Sequence, residues 1–306
     1  MKTRRATTSP EVARFRTRLL VAMMLVIAAI TTAGLALARR NVAADEERSR
    51  QREFRAALAT LHNVQQLRHT ALVERSRALA RRARIHAALE DGALDLLYPS
   101  ANDELRDVLV NRRDSAEAQE VSTLRARFYR FLDAQGAVIS PLSDEVAGAL
   151  QADEEAQLAL PEAPVRPQIG YLSNRASGAV DETGAAVPAV TELIATPIIS
   201  NETGEVLAAL VLGFPAIQLR GERPETGLRS GIWLEGRLHL PSLGETARAA
   251  VLRDVTRALV RGGGGEGSFY TQLDAEPHLL FYKQLNPDSL FAPAYEVCVF
   301  PLAEML

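Results

Sequence analysis

Six polar side chains lie in segments of this sequence that are otherwise apolar, where they could contact a small ligand in a buried pocket. They are Arg127, Tyr129, Arg130, Tyr171, Asn174 and Thr196. Hydroxyl and amide groups orient a ligand by hydrogen bonding, and a guanidinium can hold a carboxylate through two N–H donors. The alternative interpretation is that these residues make structural hydrogen bonds and that the arginines lie at exposed strand ends. Tyr270 and Tyr282 are the corresponding candidates nearer the C-terminus.

Residue patterns that support catalysis or metal binding are not found in the sequence. The glycine run at residues 262–265 follows a predicted helix and lacks the Lys-Ser/Thr ending of a phosphate-binding loop. His62 and His69 are seven residues apart, not the four of a helical metal pair, and are interpreted as surface histidines. Cys298 lies in a predicted strand as a buried thiol, with an intermolecular disulfide as the alternative. We expect no enzyme, no catalytic residue, no metal and no cofactor.

Positive and negative charges are divided unequally along the chain. The net charge of −3 combines +9 over residues 1–130 with −12 over residues 131–306. The basic half has no aromatic residues interleaved with its arginines and no recognition motif, so nucleic acid is not an expected partner.

The segment from Leu19 to Ala38 contains twenty residues and no charge. About 20 apolar residues in a helix span the hydrocarbon core of a bilayer, which predicts a transmembrane helix with the lipid bilayer as partner. A cleaved signal peptide is the alternative, because small residues at 32–34 and 36–38 resemble a cleavage site. Basic residues precede the segment and acidic residues soon follow it. The positive-inside rule therefore places residues 1–18 in the cytoplasm and residues 41–306 outside the inner membrane.

A long helix is predicted directly after this segment, within a helical region at residues 41–123. No glycine occurs between residues 41 and 91, and Pro99 is the first proline after residue 41. Apolar residues recur there at mostly three- and four-residue steps, as on one face of a helix. They are Phe54, Leu58, Leu61, Val64, Leu67, Leu72 and Leu79. Packing within the domain and pairing in a homodimer both explain this stripe. We expect Gly92 and Pro99 to break the pattern and a second helix to cover residues 101–110.

Two sheet-bearing regions follow, at residues 124–219 and 228–306, joined by a polar linker at residues 220–227. In the first region, hairpins are predicted at residues 128–139 and 190–214, and residues 205–214 are apolar enough for a central strand. In the second, the pattern predicts strand–strand–helix–strand–strand–strand, with a turn at Glu235-Gly236 and the helix at residues 243–260. The predicted fold class is α+β, with antiparallel sheets.

This order of elements resembles the double Cache sensor domains of bacterial chemoreceptors, sensor kinases and cyclases, which consist of PAS-like units. The matching segments are FLDAQGAVI at residues 131–139 and ATPIISNETGEVLAALVLGF at residues 195–214. The resemblance covers roughly residues 41–306 by order of elements. It implies a membrane-distal unit at residues 124–219 and a membrane-proximal unit at residues 228–306. The family's amino-acid-binding pattern of Tyr, Arg, Trp and Asp is not evident, and the single tryptophan, Trp233, lies in the second unit.

The resemblance implies an extracytoplasmic domain that senses a small ligand or a periplasmic protein and signals by a shift within a homodimer. Such sensors return through a second membrane helix to a cytoplasmic output domain. Because the sequence ends at Leu306 without one, we expect a fragment of a longer signalling protein. A membrane-anchored periplasmic scaffold without a small-molecule ligand is the alternative. An anchored hydrolase is disfavoured because no catalytic motif is present.

Overall fold

The computed structural model describes residues 10–105, 125–141, 143–174, 189–216, 227–262 and 265–302. The chain divides into two compact units, Met1–Ala56 and Ala57–Leu306. Several predicted segments lie outside the described residues: residues 1–9 of the cytoplasmic tip, residues 106–120 and residues 220–226 of the linker. The domain boundaries given above stay predictions.

The first helix, α1 (Pro10–Ala80), is 71 residues long and includes both the apolar segment and the predicted long helix. Proline suits its first position because the fixed φ is helical and the first N–H groups have no intrahelical acceptor. In the part of the chain that the structure describes, no helix has the length and apolar character needed to cross a membrane. The membrane span at residues 19–38 therefore stays a prediction.

The predicted long helix ends earlier than expected. Arg82 has an extended backbone with ψ 128°, which separates α1 from α2 (Ala83–Glu90). Gly92 then ends α2 with φ +64°, while its N–H and that of Ala93 donate to the carbonyls of Leu89 and Ala88. This is the Schellman arrangement, which favours glycine.

The next helix, α3 (Leu94–Leu105), begins seven residues before the predicted start, and the prediction that Pro99 ends a helix here is wrong. Pro99 lies inside α3 and is exposed, so its ring is accommodated at the surface. Neighbouring Tyr98 and Ala101 are buried and hold the segment in the core.

The first sheet contains five antiparallel strands in the order β2-β1-β5-β4-β3. Short helices α4 and α5 lie between β2 and β3 in sequence. The bounds are β1 (Phe128–Asp133), β2 (Val138–Ile139), α4 (Asp144–Ala147), α5 (Ala152–Ala156), β3 (Gln168–Asn174), β4 (Ala189–Ile199) and β5 (Val206–Pro215). The prediction of a central strand is confirmed for β5. Leu210 and Leu212 pack on the helical side and Ala209 and Val211 on the other, which explains its continuous apolar sequence.

The second sheet repeats this arrangement, with the order β7-β6-β10-β9-β8. Its bounds are β6 (Arg229–Leu234), β7 (Arg237–His239), α6 (Glu245–Gly262), β8 (Glu266–Leu273), β9 (Glu276–Gln284) and β10 (Ala294–Pro301). The predicted order of elements is confirmed. Glu235 and Gly236 have φ values of +49° and +77°, as a tight type I′ hairpin turn requires. Helix α6 packs on one face of this sheet through Val251 and Val255.

Apolar side chains and hydrogen bonds connect the two sheets. Tyr171 and Val190 of the first sheet share a core cluster with Ile232, Leu234 and Ala294 of the second. The Ser289 hydroxyl also donates to the carbonyl of Ile169 at 2.7 Å. This mixed architecture of helices and two antiparallel sheets is consistent with PAS- or Cache-like units.

The apolar stripe predicted for the long helix is divided between two faces of α1. Five of its seven residues are at most 7% exposed: Phe54, Leu58, Leu61, Leu72 and Leu79. Val64 and Leu67 are 45% and 73% exposed. The single-stripe interpretation is therefore wrong for these two residues. Helical periodicity of about 3.6 residues per turn places them away from the buried face.

Candidate functional site

Glu192 on β4 joins helix α1 to the first sheet. Its neighbours at alternate positions, Ile194 and Ile198, belong to the core that includes the end of α1. The Glu192 carboxylate is almost fully buried, and Arg68 Nε donates to its Oε2 at 3.0 Å. His69 Nε2 lies 2.7 Å from Oε1, a contact that is a hydrogen bond when Nε2 carries a proton. Arg68 also donates to the carbonyl of Pro215, so its buried charge is held by two acceptors.

Glu296 on β10 makes the equivalent connection to the second sheet. Its Oε1 accepts a hydrogen bond from Gln65 Nε2 at 2.7 Å, and His62 Nε2 lies 3.0 Å from Oε2. Glu296 is 2% exposed. The interpretation of His62 and His69 as surface histidines is wrong, because each ring contacts a buried carboxylate and their side chains are only 25% and 19% exposed.

Two groups near these carboxylates have altered acidity, through their own burial first and through the carboxylate charges second. Tyr171 pairs with Glu192 across β3 and β4, and its hydroxyl lies 3.4 Å from His69 Nε2. Burial, followed by the negative charges of Glu192 and Glu296, holds the pKa of Tyr171 well above its ordinary value. Burial and then Glu296 likewise raise the pKa of Cys298, which is fully buried as predicted. Both groups therefore stay protonated and neutral near pH 7.

The polar cluster of His62, Gln65, Arg68, His69, Glu192 and Glu296 was not among the sequence candidates. Signals for it were present. Glu192 and Glu296 are single acidic residues within apolar strands, where a buried charge needs a partner. The helical residues recur at three- and four-residue steps beside the buried leucines. The pairing of particular helical residues with particular strands depends on contacts more than 120 residues apart, which local patterns do not contain.

The structure does not bring together the ligand-site candidates of the first sheet region. Thr196 Oγ1 lies 2.7 Å from Ser76 Oγ of α1, whereas Asn174 Nδ2 donates to Thr191 Oγ1 at 2.9 Å. Tyr171 lies beside Glu192 and His69, as described above. Arg127 is exposed just before β1.

Tyr129 is fully buried in β1 beside Tyr98 and Phe131, with ring-centroid distances of 5.7 and 6.0 Å. Its hydroxyl has no hydrogen-bond partner among the residues that the structure describes. Burial, and then the neighbouring Tyr98, raise the pKa of Tyr129 above its ordinary value. The surroundings of Tyr129 therefore support a role in packing.

Arg130 and the two tyrosines of the second region have different surroundings. Arg130 is fully buried, and its guanidinium donates to Glu155 and to the carbonyls of Tyr129, Ala147 and Gly148. It therefore has a structural role. Tyr270 is 62% exposed, whereas Tyr282 is buried against α6 and the second sheet.

A cleft of about 600 Å³ opens where the end of α1 meets the end of β4. Its polar lining includes Arg77, Arg81, His86, Arg166, Thr196 and Ser200. Of the ligand-site candidates, only Thr196 is among the described residues that line this cleft. A second cavity, of about 10 Å³, lies between Gln65, His239 and Glu296 and has room for about one water molecule. The larger cleft falls within the usual range of small-molecule sites, about 300–1,000 Å³.

No model of a known protein family matches the chain. No curated protein matches it either.

Several solved structures of bacterial sensory domains are similar to the chain. The extracellular domain of vpHK1S-Z8, described as a histidine kinase, has 13% identity and a TM-score of 0.42, covering 82% of this chain and 92% of its own. A domain from Vibrio parahaemolyticus, described as belonging to a sensory box/GGDEF family protein, has 15% identity and a TM-score of 0.44, covering 83% and 97%. The ligand-binding domain of the Pseudomonas fluorescens chemoreceptor CtaA, in complex with L-alanine, has 11% identity and a TM-score of 0.33, covering 76% and 97%. At these values the similarities assign no activity and no ligand to the chain.

Proposed function

We propose that this chain is the extracytoplasmic sensory domain of a membrane signal-transduction protein of the receptor, sensor kinase or cyclase type. It binds a small extracytoplasmic molecule or a periplasmic protein and has no catalytic activity of its own. The observation that carries the proposal is the attachment of α1 to both sheets. Glu192 and Glu296 come from different sheets, and both bind the same face of one helix.

These attachments support a relay from a sheet to the helix. The contacts on α1 extend from His62 to His69, a distance of about 10 Å along the helix axis. Because the carboxylates are buried and paired, a strand cannot move past α1 without breaking a costly interaction. A ligand that prefers one arrangement of the strands would therefore also change the position of α1. It would act only through its different affinities for the two arrangements.

Membrane anchoring through residues 19–38 is part of the proposal. Its support is the uncharged sequence with basic residues before it and acidic residues after it. The proposed location is the bacterial inner membrane, with the N-terminus in the cytoplasm and residues 41–306 in the periplasm. The segment at residues 19–38 lies within the bounds of α1.

The proposal also includes a homodimer in which the α1 helices of two chains pair with each other. A face of α1 about 120° around the helix from the buried leucines has exposed residues at alternating four- and three-residue steps, the spacing of a two-helix seam. These residues are Thr60, Val64, Leu67, Ala71, Glu74 and Ala78. They include the two stripe residues that do not enter the core, Val64 and Leu67.

Cysteine crosslinking in the full chain tests the relay and the dimer together. In a Cys298→Ala background, Leu67→Cys places a thiol on the proposed seam, and Gln66→Cys places one on an exposed neighbouring position. We expect oxidative crosslinking of Leu67→Cys to be faster than that of Gln66→Cys. We also expect its rate to change when amino acids, organic acids or sugars that raise the melting temperature are added.

Two outcomes would count against the proposal. Equal crosslinking rates for Leu67→Cys and Gln66→Cys would reject the proposed pairing of two chains through α1. If no compound in the panel changed either the melting temperature or the crosslinking rate, direct sensing of a small molecule would be rejected, and the scaffold alternative would be favoured.

A further inference from the structure

The cleft at the end of α1 carries positive charge that other side chains neutralise only in part. Arg77, Arg81 and Arg166 line it, and no aspartate or glutamate is among its described lining residues. Arg77 is paired with the exposed Glu74. The guanidinium groups of Arg81 and Arg166 have neither an ion pair nor a hydrogen bond within the described ranges.

The arginines approach the cleft from two separate segments. Arg77 lies in the last turn of α1, and Arg81 follows four residues later, so the two occupy neighbouring positions on one side. Like charges at this spacing repel each other. Arg166 comes from the segment before β3 and supplies a cation from another part of the wall. An anion between them would relieve this repulsion and accept several N–H donors.

His86 adds an independent observation at the cleft, a buried nitrogen without a hydrogen-bond partner among the described residues. The side chain lines the cleft, is 8% exposed, and places Nε2 at 3.0 Å from the carbonyl of Ala80. Because a carbonyl only accepts, Nε2 carries the proton. The other ring nitrogen, Nδ1, is buried without a hydrogen-bond partner among the described residues. Buried polar atoms are rarely left unpaired, so Nδ1 is available as an acceptor for a ligand hydroxyl.

We propose that this cleft binds a small anion with at least two carboxylate or phosphate groups, held by Arg77, Arg81 and Arg166. The inference deepens the proposed sensory function, on which it rests, by giving the ligand a chemical class and a place. Thr196 of β4 and Ser200, which directly follows β4, line the same cleft, so an anion bound there contacts the strand that carries Glu192. Binding is expected to weaken as salt rises, because partly exposed charges are screened.

Calorimetric titration of the full chain with citrate and with pyrophosphate tests the proposal and distinguishes the two anion types. Glycerol serves as the uncharged probe, and sodium chloride matches the ionic strength. We expect binding of at least one anion and none of glycerol. The variant Arg81→Gln/Arg166→Gln should weaken this binding at least about tenfold, since each guanidinium contributes charge-assisted hydrogen bonds.

The matched control is Arg82→Gln/Arg84→Gln, which removes the same charge from exposed arginines that pair with Glu104 and Asp103 outside the cleft. It should leave the affinity nearly unchanged. Equal weakening by both variants, or no binding of either anion, overturns the proposal. If a neutral compound changes α1 crosslinking equally in the unmodified chain and in Arg81→Gln/Arg166→Gln, the anion site is rejected and the sensory function is kept. If an anion binds the cleft without changing α1 crosslinking, the anion site is kept and the sensory function is rejected.

Discussion

Arg68 Nε and Glu192 Oε2 lie 3.0 Å apart, and their side chains are 6% and 3% exposed. A buried pair of this kind holds a helix and a strand that are 124 residues apart in sequence. Removal of one partner leaves the other charge buried and unpaired, which costs more than the pair itself contributes. The relationship therefore allows the attachment of α1 to be tested directly.

The variant Glu192→Ala should lower the free energy of unfolding by about 3–5 kcal/mol, because Arg68 would then be buried without its counter-charge. Urea unfolding of the full chain measures this change. Glu74→Ala is the control, since the Glu74–Arg77 pair on the same helix is exposed and should contribute less than about 1 kcal/mol. Similar losses in the two variants would show that burial does not strengthen the dependence on Glu192.

Replacing both partners should be milder than replacing one. The double variant Arg68→Met/Glu192→Leu removes both charges of this pair, and apolar side chains of similar size often substitute for a buried pair at little cost. We expect it to be more stable than Glu192→Ala. Urea midpoints of the two variants check this order, and the opposite order would mean that Glu192 acts through packing.

Local turn chemistry made parts of the fold predictable. Asp133 Oδ1 accepts hydrogen bonds from the N–H groups of Gln135 and Ala137, and Gly136 has φ +83°. These are contacts within five residues, so the sequence pattern contains them. The same applies to the Glu235-Gly236 turn.

Long-range contacts explain what could not be predicted. Pro99 is a strong local signal for a helix end, yet tertiary packing of Tyr98 and Ala101 carries α3 through it. The candidate tyrosines were selected by residue type and by their place in apolar segments. Their separation into different environments follows from the strand faces and from the position of α1, which depend on pairings across the whole chain.

Contact between the first sheet and the segment before β10 should be sensitive to one methyl group. A Cβ added at Gly170 would lie 2.4 Å from Phe291 Cγ, whereas one added at Gly244 would meet no atom within 4 Å. Gly170→Ala should therefore destabilise the fold by about 1–3 kcal/mol through overpacking. Gly244→Ala should be close to neutral. Thermal unfolding of both variants tests this, and a harmless Gly170→Ala would show that Phe291 moves freely.

Cys298 should be unreactive in the folded chain. It is fully buried, and burial together with Glu296 raises the pKa of its thiol, so little of the reactive thiolate forms near pH 8. We expect Ellman's reagent to modify one thiol per chain in urea and almost none without it. Rapid modification under native conditions would contradict the buried position and would restore the intermolecular disulfide as an alternative.

Alkaline pH should destabilise the fold through Tyr98. Burial raises its pKa to about 12 from the ordinary value of 10.0, so the unfolded chain loses this proton first. The contribution of Tyr98 is therefore complete below pH 10 and is lost as pH rises toward 12, by up to about 2–3 kcal/mol. Unfolding free energies measured at several pH values above 9 should fall, and Tyr98→Phe should reduce that slope. The variant loses hydrogen bonds with Ile139 and Phe131 and so begins from lower stability. An unchanged slope in Tyr98→Phe would assign the alkaline transition to Tyr129 and Tyr171, whose pKa values are also raised.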